Sequence, residues 1–214
     1  MKDGLTYALF PTPLHHNNIG YDYELKLSDL CPCYDSTIGP ESHDKCNGLI
    51  TRDQNYLLKQ ENLLLRQKLE EVIEKYLHEH LKLNSKIGIR HQCSWGLLHK
   101  RGHYSPKHYH RNSWLSGIYY FQVNSDSGDF EVTARPPYGW TCNSIAPFDA
   151  IDTYNSLNSR STTFKPKRGD VYLFPSHLEH HSYINNSDID RVCVSFNYTL
   201  TGSWGSMGDR ITLS

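Results

Sequence analysis

The sequence predicts a mainly β protein, a sandwich or barrel of short strands supported by one long helix. Two observations lead to this prediction. From Leu83 onwards, short segments rich in β-branched and aromatic residues alternate with turn-forming residues. Before them, apolar residues recur at helical spacing between about residues 55 and 83. One helix followed by many short strands is typical of a β-sandwich or barrel with helical support.

The length of the chain indicates one domain. With 214 residues it is long enough to bury a real core, and we predict a single domain over residues 1–214. Residues 1–50 are expected to be irregular, because prolines and turn-forming residues are frequent there, and only Leu5–Phe10 is a plausible strand. Residues 87–200 are expected to form the β core.

The predicted helix, residues 55–83, has one apolar face that would pack on a sheet. Its main apolar positions are Leu58, Leu65, Leu69, Val72, Tyr76 and Leu83. Leu64 extends the same face. Thr51 or Asp53 could cap the start of the helix, since both side chains accept hydrogen bonds from free backbone N–H groups.

Five strands are expected after the helix. They are Ile87–Leu98, Leu115–Val123, Asp129–Ala134, Asp170–Phe174 and Arg191–Leu200. Residues 135–168 form a long connection that is rich in Pro, Ser and Asn and contains Trp140 and one weak strand. Connections of this length in a compact domain often cover a binding site.

Composition excludes several classes of partner. Lys and Arg total 22 against 23 for Asp and Glu, so the net charge of −1 gives no reason to expect general nucleic-acid binding. No apolar run approaches the ~20 residues of a membrane-spanning helix, and the start lacks the pattern of a secretory signal. We therefore expect a soluble, cytoplasmic protein with reduced cysteines. Cys31, Cys33 and Cys46, with His43, could form a small zinc site.

Histidines are clustered. Of 13 in the chain, eight lie within residues 91–110 and 177–181. His108 and His110 are two residues apart on an extended segment, so both side chains would point to one face and could bind one metal ion. One of His177, His180 and His181 could complete the site.

The last predicted strand begins with an arginine, which follows these histidines in the chain. Along Arg191–Leu200 the arginine shares a small and polar face with Cys193 and Ser195, which suits the lining of a cavity. Two histidines, a further histidine and then an inward arginine suit a non-haem Fe(II) oxygenase. Such enzymes leave open positions on the metal for 2-oxoglutarate, whose distal carboxylate favours a guanidinium.

Four segments make the resemblance specific. They are Leu9–Pro13, Ser94–Trp95 with Gly102–His110, Leu115–Tyr120, and Gly169–His180 followed by Arg191–Asn197. Through them the sequence resembles the 2-oxoglutarate-Fe(II) oxygenase family that is found widely in bacteria and their phages. The match covers nearly the whole chain apart from residues 31–47 and 135–168.

The resemblance implies a fold, cofactors and an activity. The fold would be a double-stranded β-helix, a jelly-roll-like barrel with the helix packed on one sheet. His108 and His180 would be iron ligands, and Arg191 with Tyr120 would bind 2-oxoglutarate. The protein would be a dioxygenase that hydroxylates a C–H bond and releases succinate and CO2, in the cytosol of a bacterium or a phage-infected host. No catalytic residue beyond the metal centre is implied.

The third ligand departs from the family pattern, which has Asp or Glu where this chain has His110. With three neutral imidazoles, the iron site would carry one more unit of positive charge than with two imidazoles and a carboxylate. Alternatively, His110 is not a ligand, and Asp129 or a water completes the site. Pocket-wall candidates, for which core packing is the alternative, are Trp95, Tyr104, Trp114, Trp140 and Arg135.

Three function classes remain open from the sequence. The first is an active hydroxylase whose substrate is a protein side chain, a nucleobase or a small molecule. The second is a non-catalytic barrel that keeps its metal and serves as a binding or structural module. The third is a metal-dependent cupin isomerase that needs no 2-oxoglutarate, and an inward Arg191 argues against it.

Overall fold

The fold is described from a computed structural model. The structure describes residues 5, 11–20, 25–33, 48–133, 152–155, 158–206 and 208–213. Several predictions fall on other residues and lie outside this part of the chain. They concern most of the strand Leu5–Phe10, together with His43, Cys46, Arg135 and Trp140.

Within these ranges the chain forms twelve strands and one α-helix. The strands are β1 His15–Asn18, β2 Leu30–Pro32, β3 Leu49–Thr51, β4 Gly88–His99, β5 Ser105–His108, β6 Leu115–Gln122, β7 Phe130–Thr133, β8 Ser161–Phe164, β9 Asp170–Pro175, β10 Glu179–Ser182, β11 Arg191–Trp204 and β12 Ile211–Leu213. The helix is α1 Leu63–Lys75. All five strands predicted after the helix are present with small changes at their ends, and short strands also occur in the N-terminal region expected to be irregular.

The helix is shorter than predicted. A π-helical turn, Tyr76–His80, continues α1, but two separate 3-10 turns, Tyr56–Leu58 and Gln60–Asn62, precede it. The side chain of Asn62 donates to the carbonyl of Tyr56 at 2.7 Å, a local bond that competes with helix hydrogen bonding.

The expected cap and two of the expected apolar positions were also wrong. The helix begins after Asn62, without a side-chain cap, and Thr51 lies in β3. Leu58 and Leu64 are 47% and 70% exposed, whereas Leu65 and Leu69 are buried. Tyr56 and Leu57 of the first 3-10 turn are buried in the same core as α1, so apolar residues before the helix do pack there, but not at the predicted helical spacing.

The strands form two antiparallel sheets. The major sheet has the order β1-β9-β6-β11-β4-β3-β2, with β12 paired to the end of β11. The minor sheet has the order β5-β10-β7-β8. Strands that neighbour each other in the minor sheet are far apart in sequence, so long loops must bring the two histidine segments, on β5 and β10, together.

Two apolar cores lie on the two faces of the major sheet. The first packs α1 against the major sheet and includes Leu69, Tyr119 and Phe196. The second joins residues of the major sheet, such as Tyr172, to Phe130 of the minor sheet. The two sheets therefore face each other across a shared core.

The alternation predicted for β11 is confirmed. Val194, Phe196 and Tyr198 belong to the core beside α1. Arg191, Cys193 and Ser195 line a cavity on the opposite face. In the described part of the chain, no helix is long and apolar enough to span a bilayer.

Candidate metal and cosubstrate site

Three histidines meet at the entrance to the space between the sheets. One ring nitrogen each of His108, His110 and His180 lies within 4.8 Å of the other two. The ring centroids of His108 and His180 are 4.3 Å apart, and those of His110 lie 5.2 and 5.3 Å from them. Among the described residues this is the group of His, Cys, Asp or Glu side chains that could hold a metal ion.

Sheet pairing and backbone carbonyls orient two of these imidazoles. His108 on β5 is directly opposite His180 on β10. The Nδ1 atom of His108 is 2.8 Å from the carbonyl of Pro106, and that of His180 is 2.9 Å from the carbonyl of Leu178. A carbonyl only accepts, so each Nδ1 carries the proton and Nε2 keeps its lone pair for a metal.

Burial keeps two of the histidines neutral. Burial, with the charge of His108, lowers the pKa of His110 to about 4. Burial lowers the pKa of His180 well below its usual value, and the neighbouring His108 adds to this. Neutral imidazole is the form that binds metal, so the unloaded site is prepared for coordination near pH 7.

His110 occupies the position of the family carboxylate, beyond the end of β5. Its backbone N–H donates to the carbonyl of Ser176 at 2.9 Å, and its ring lies 5.7 Å from Trp95. Asp129, the alternative third ligand, is not in the histidine group and lies in a separate surface depression with Tyr183. The structure thus brings His110, and not Asp129, to the other two histidines.

A cavity of about 270 Å³ opens beside the three histidines, between the two sheets. Its wall combines apolar residues from both sheets with a few polar groups. The described residues of this wall that matter for the chemistry are Trp95, His99, Ser105, Ser116, Tyr120, Ser182 and Arg191. Arg191 is the side chain with a permanent charge among the described lining residues.

Arg191 is held by the protein through hydrogen bonds, and the described part of the chain offers it no acidic partner. It is 1% exposed, and its Nη1 donates to the carbonyls of Ser127, Gly128 and Tyr183. Nη2 donates to the hydroxyl of Ser182 at 2.8 Å. Among the described residues no carboxylate forms a salt bridge with Arg191. A buried charge of this kind costs free energy unless an anion neutralises it.

Tyr120 supplies an unused donor in the same cavity. Its hydroxyl is buried and finds no partner in the described part of the chain. Burial raises the pKa of Tyr120 well above its usual value, so the hydroxyl stays protonated and can donate. The neighbouring Tyr119 points away, and its hydroxyl donates to the carbonyl of Gly20 at 2.9 Å.

The pocket-wall predictions have mixed outcomes. Trp95 lines the cavity. Tyr104 is not among the lining residues, and Trp114 packs against the core beside α1. Trp140 and Arg135 lie outside the described residues.

Sequence reasoning missed two polar groups of the cavity, His99 and Ser182. His99 pairs with Arg191 across β4 and β11, and its Nε2 lies 3.2 Å from the hydroxyl of Ser105. Burial and the charge of Arg191 lower the pKa of His99 to about 3, so the ring is neutral. Neither residue is part of a motif, and only strand register could have revealed them.

The proposed zinc site at the N-terminal cysteines stays a prediction, because Cys46 and His43 lie outside the described residues. Neither Cys31 nor Cys33 forms a disulfide bond within the described part of the chain. Cys31 donates to the carbonyl of Ile50 at 3.6 Å, and Cys33 contributes to the wall of the metal-site cavity.

Comparison with known families agrees with this site. Residues 93–197, which carry all three histidines and Arg191, match the family described as "Putative 2OG-Fe(II) oxygenase". The match is confined to this part of the chain, and the cofactors of the matched family are Fe(II) and 2-oxoglutarate. The chain matches no curated protein sequence.

One solved structure shows a similar fold at low identity, and a second has a slightly lower score. An oxidoreductase of the 2OG-Fe(II) oxygenase family from Burkholderia pseudomallei superposes with a TM-score of 0.50 and 11% identity, over 72% of this chain and 68% of that one. A prolyl-4-hydroxylase from Pseudomonas putida gives a TM-score of 0.49 and 12% identity, over 80% and 77% of the two chains. At such identities the likeness concerns the fold alone.

Proposed function

We propose that this protein is an Fe(II)- and 2-oxoglutarate-dependent dioxygenase that hydroxylates a C–H bond of its substrate. One observation carries the proposal. A buried arginine, which has no acidic partner among the described residues, lines the same cavity of about 270 Å³ as three convergent imidazoles. The imidazoles would supply ligands for a metal ion, and the arginine would supply the positive charge that a dicarboxylate needs.

His108, His110 and His180 would hold the iron. Their neutral nitrogens suit Fe(II), and three ligands on one side leave the remaining positions open. When bound, the metal would couple reduction of O2 to decarboxylation of 2-oxoglutarate, giving succinate, CO2 and one hydroxyl group on the substrate. The apolar walls around Phe130 and Phe174 would keep bulk water away from the metal.

Arg191, Tyr120 and Ser182 would bind the distal carboxylate of 2-oxoglutarate. Nη2 of Arg191 has two N–H groups, of which the described bond to Ser182 uses one. The hydroxyl of Tyr120 is a donor without a described partner. The hydroxyl oxygen of Ser182 accepts from Arg191 and from the backbone N–H of Ser105, which leaves its own proton free to donate. The carboxylate would neutralise the buried guanidinium, which explains why that charge is tolerated.

The fold that best suits this function is a closed double-stranded β-helix, formed by the two antiparallel sheets within one domain. The cavity is close to the lower limit of about 300 Å³ for ligand pockets. After 2-oxoglutarate is bound, it would admit only one small group of the substrate. The substrate itself, whether a protein side chain, a nucleobase or a small molecule, stays open.

His110 supports an alternative function, a non-catalytic module that binds metal. A three-histidine site lacks the carboxylate of the family pattern, and a non-catalytic module could keep the metal for structure alone. Formation of succinate distinguishes the dioxygenase from the non-catalytic module. The protein should be incubated aerobically with Fe(II) and 2-oxoglutarate, alone and with a panel of peptides, nucleosides and metabolites, while succinate is measured.

We expect succinate formation that depends on Fe(II) and rises with the correct substrate, and that is lost in His180→Ala. Binding of both cofactors without succinate under every condition would favour the non-catalytic module. Succinate that persists in His180→Ala would contradict the assignment of the metal ligand.

Replacing Tyr120 by Phe should separate cosubstrate binding from stability. The variant removes a buried hydroxyl that has no described partner, so the metal-free protein should keep or gain stability, by roughly 0–2 kcal/mol. A hydrogen bond to a charged group contributes about 1.5–3 kcal/mol, so 2-oxoglutarate should bind about 10- to 100-fold more weakly. Thermal unfolding and calorimetric titration measure the two effects.

Tyr119→Phe is the matched control, since its hydroxyl bonds to Gly20 and lies outside the cavity. It should lose a little stability and keep its affinity for 2-oxoglutarate. Equal affinities in wild type and Tyr120→Phe would remove Tyr120 from the proposed site.

A further inference from the structure

The three histidines are not held in the same way. His108 and His180 each donate from Nδ1 to a backbone carbonyl of their own strand segment. The ring of His110 has no hydrogen-bond partner among the described residues. Its orientation therefore depends on where its backbone is placed and on the contact with Trp95.

Ser176 contacts both ends of the backbone segment that carries His110, and this segment is also held by the bond from the N–H of Trp114 to the carbonyl of Tyr198. The N–H of His110 donates to the carbonyl of Ser176 at 2.9 Å, and the N–H of Ser176 donates to the carbonyl of Trp114 at 3.2 Å. The segment from His110 to Trp114 is thus attached at both ends to one residue of the loop after β9. Any shift of Ser176 would move the third ligand.

The side chain of Ser176 is fixed by a buried polar network. Its hydroxyl lies 2.8 Å from that of Ser116 on β6, and the hydroxyl of Ser116 donates to Oδ1 of Asn197 on β11 at 2.7 Å. Nδ2 of Asn197 donates to the sulfur of Cys93 on β4 at 3.3 Å. Ser116, Ser176 and Asn197 are each at most 3% exposed.

The donor and acceptor roles in this network can be assigned in one consistent way. A hydroxyl has one proton, so Ser116 donates to Asn197 and accepts from Ser176. Every member then has a partner, and buried networks that are fully satisfied are rigid. The network links three central strands of the major sheet to the loop that anchors His110.

We propose that Ser116 and Asn197 are positioning residues for the metal site, and that they set the place of His110 through Ser176. The proposal rests on the proposed function, because it requires His110 to be a ligand. Ser116 and Asn197 would fix the position of His110, as the backbone carbonyls fix the rings of His108 and His180. They reach the ligand through its backbone and not through its ring.

The test measures metal binding by the full-length protein with Co(II) as the probe. Ser116→Ala removes the link between Ser176 and Asn197, and loss of an outer partner of a metal ligand typically weakens binding about 10- to 100-fold. We expect a loss of Co(II) affinity in that range and a changed visible spectrum of the bound ion. Ser116→Thr keeps the hydroxyl on a strand position and should restore both.

Ser94→Ala is the matched control. Ser94 is also fully buried and accepts a backbone N–H, from Leu57, but it serves the helix side of the major sheet. It should lower the melting temperature without changing the affinity or the spectrum of Co(II). If Ser116→Ala and Ser94→Ala lose stability alike and both keep wild-type Co(II) binding, the positioning role is refuted.

His110→Ala distinguishes this failure from failure of the underlying site. If His110→Ala binds Co(II) as wild type does, His110 is not a ligand, and both the site and the inference fall. If His110→Ala loses affinity while Ser116→Ala does not, only the inference falls.

Discussion

His180→Ala is expected to abolish metal binding while the protein stays folded. The variant removes one of three imidazoles, and the loss of a ligand should exceed the roughly 100-fold that loss of an outer partner can cost. The side chain is 7% exposed, and its ring packs 4.7 Å from that of Phe174. A small void and an unpaired carbonyl at Leu178 should cost about 1–3 kcal/mol of stability.

Anaerobic equilibrium dialysis with Fe(II), and with Co(II) as a stable substitute, measures this effect. His177→Ala is the control, because His177 lies in the loop just before β10 but is exposed and is not part of the histidine group. It should bind metal as wild type does. Retention of metal by folded His180→Ala would place the ion elsewhere.

Arg191→Met should lose 2-oxoglutarate binding and much of the stability of the protein. The guanidinium donates to three backbone carbonyls and to Ser182, and Met fills a similar volume without donors. Each buried acceptor left unpaired costs about 1–3 kcal/mol, so the total should be on the order of 3 kcal/mol or more. The stabilisation that saturating 2-oxoglutarate gives to the wild type should be absent.

Arg191→Lys keeps this prediction testable if Arg191→Met does not fold. Lys retains the positive charge but not the planar fork that can serve several carbonyls and one carboxylate together. We expect a less stable protein that still binds 2-oxoglutarate, with clearly reduced affinity. A destabilised Arg191→Lys with unchanged affinity would mean that Arg191 supports the loops and does not bind the cosubstrate.

Strand alternation is what made the site partly predictable. Because side chains of β11 alternate between two environments, the sequence placed Arg191 on the small and polar face, where the cavity lies. The chain order of His108, His180 and Arg191 identified the site without any knowledge of packing. Tyr120 and Tyr119 were limited to opposite faces by the same alternation, and the structure places Tyr120 in the cavity.

Other parts of the site depend on contacts between distant segments. His99 faces Arg191 only through the register of β4 and β11, and Ser176 reaches His110 across a loop. No local pattern specifies such pairings. The start of the helix was misplaced for a related reason. Apolar spacing continued to Leu58, but 3-10 turns and the side-chain bond from Asn62 interrupt the helix there.

We claim above all that one cavity binds both a metal, through three histidines, and 2-oxoglutarate, through Arg191. The most direct test is an anaerobic titration of 2-oxoglutarate into the Fe(II)-loaded protein, followed by visible absorption. We predict a weak charge-transfer band towards the red end of the spectrum, which saturates at one equivalent. The band should be absent in His180→Ala and weaker in Arg191→Lys at the same concentrations. Protein that holds Fe(II) but develops no band, even with excess 2-oxoglutarate, would contradict the claim.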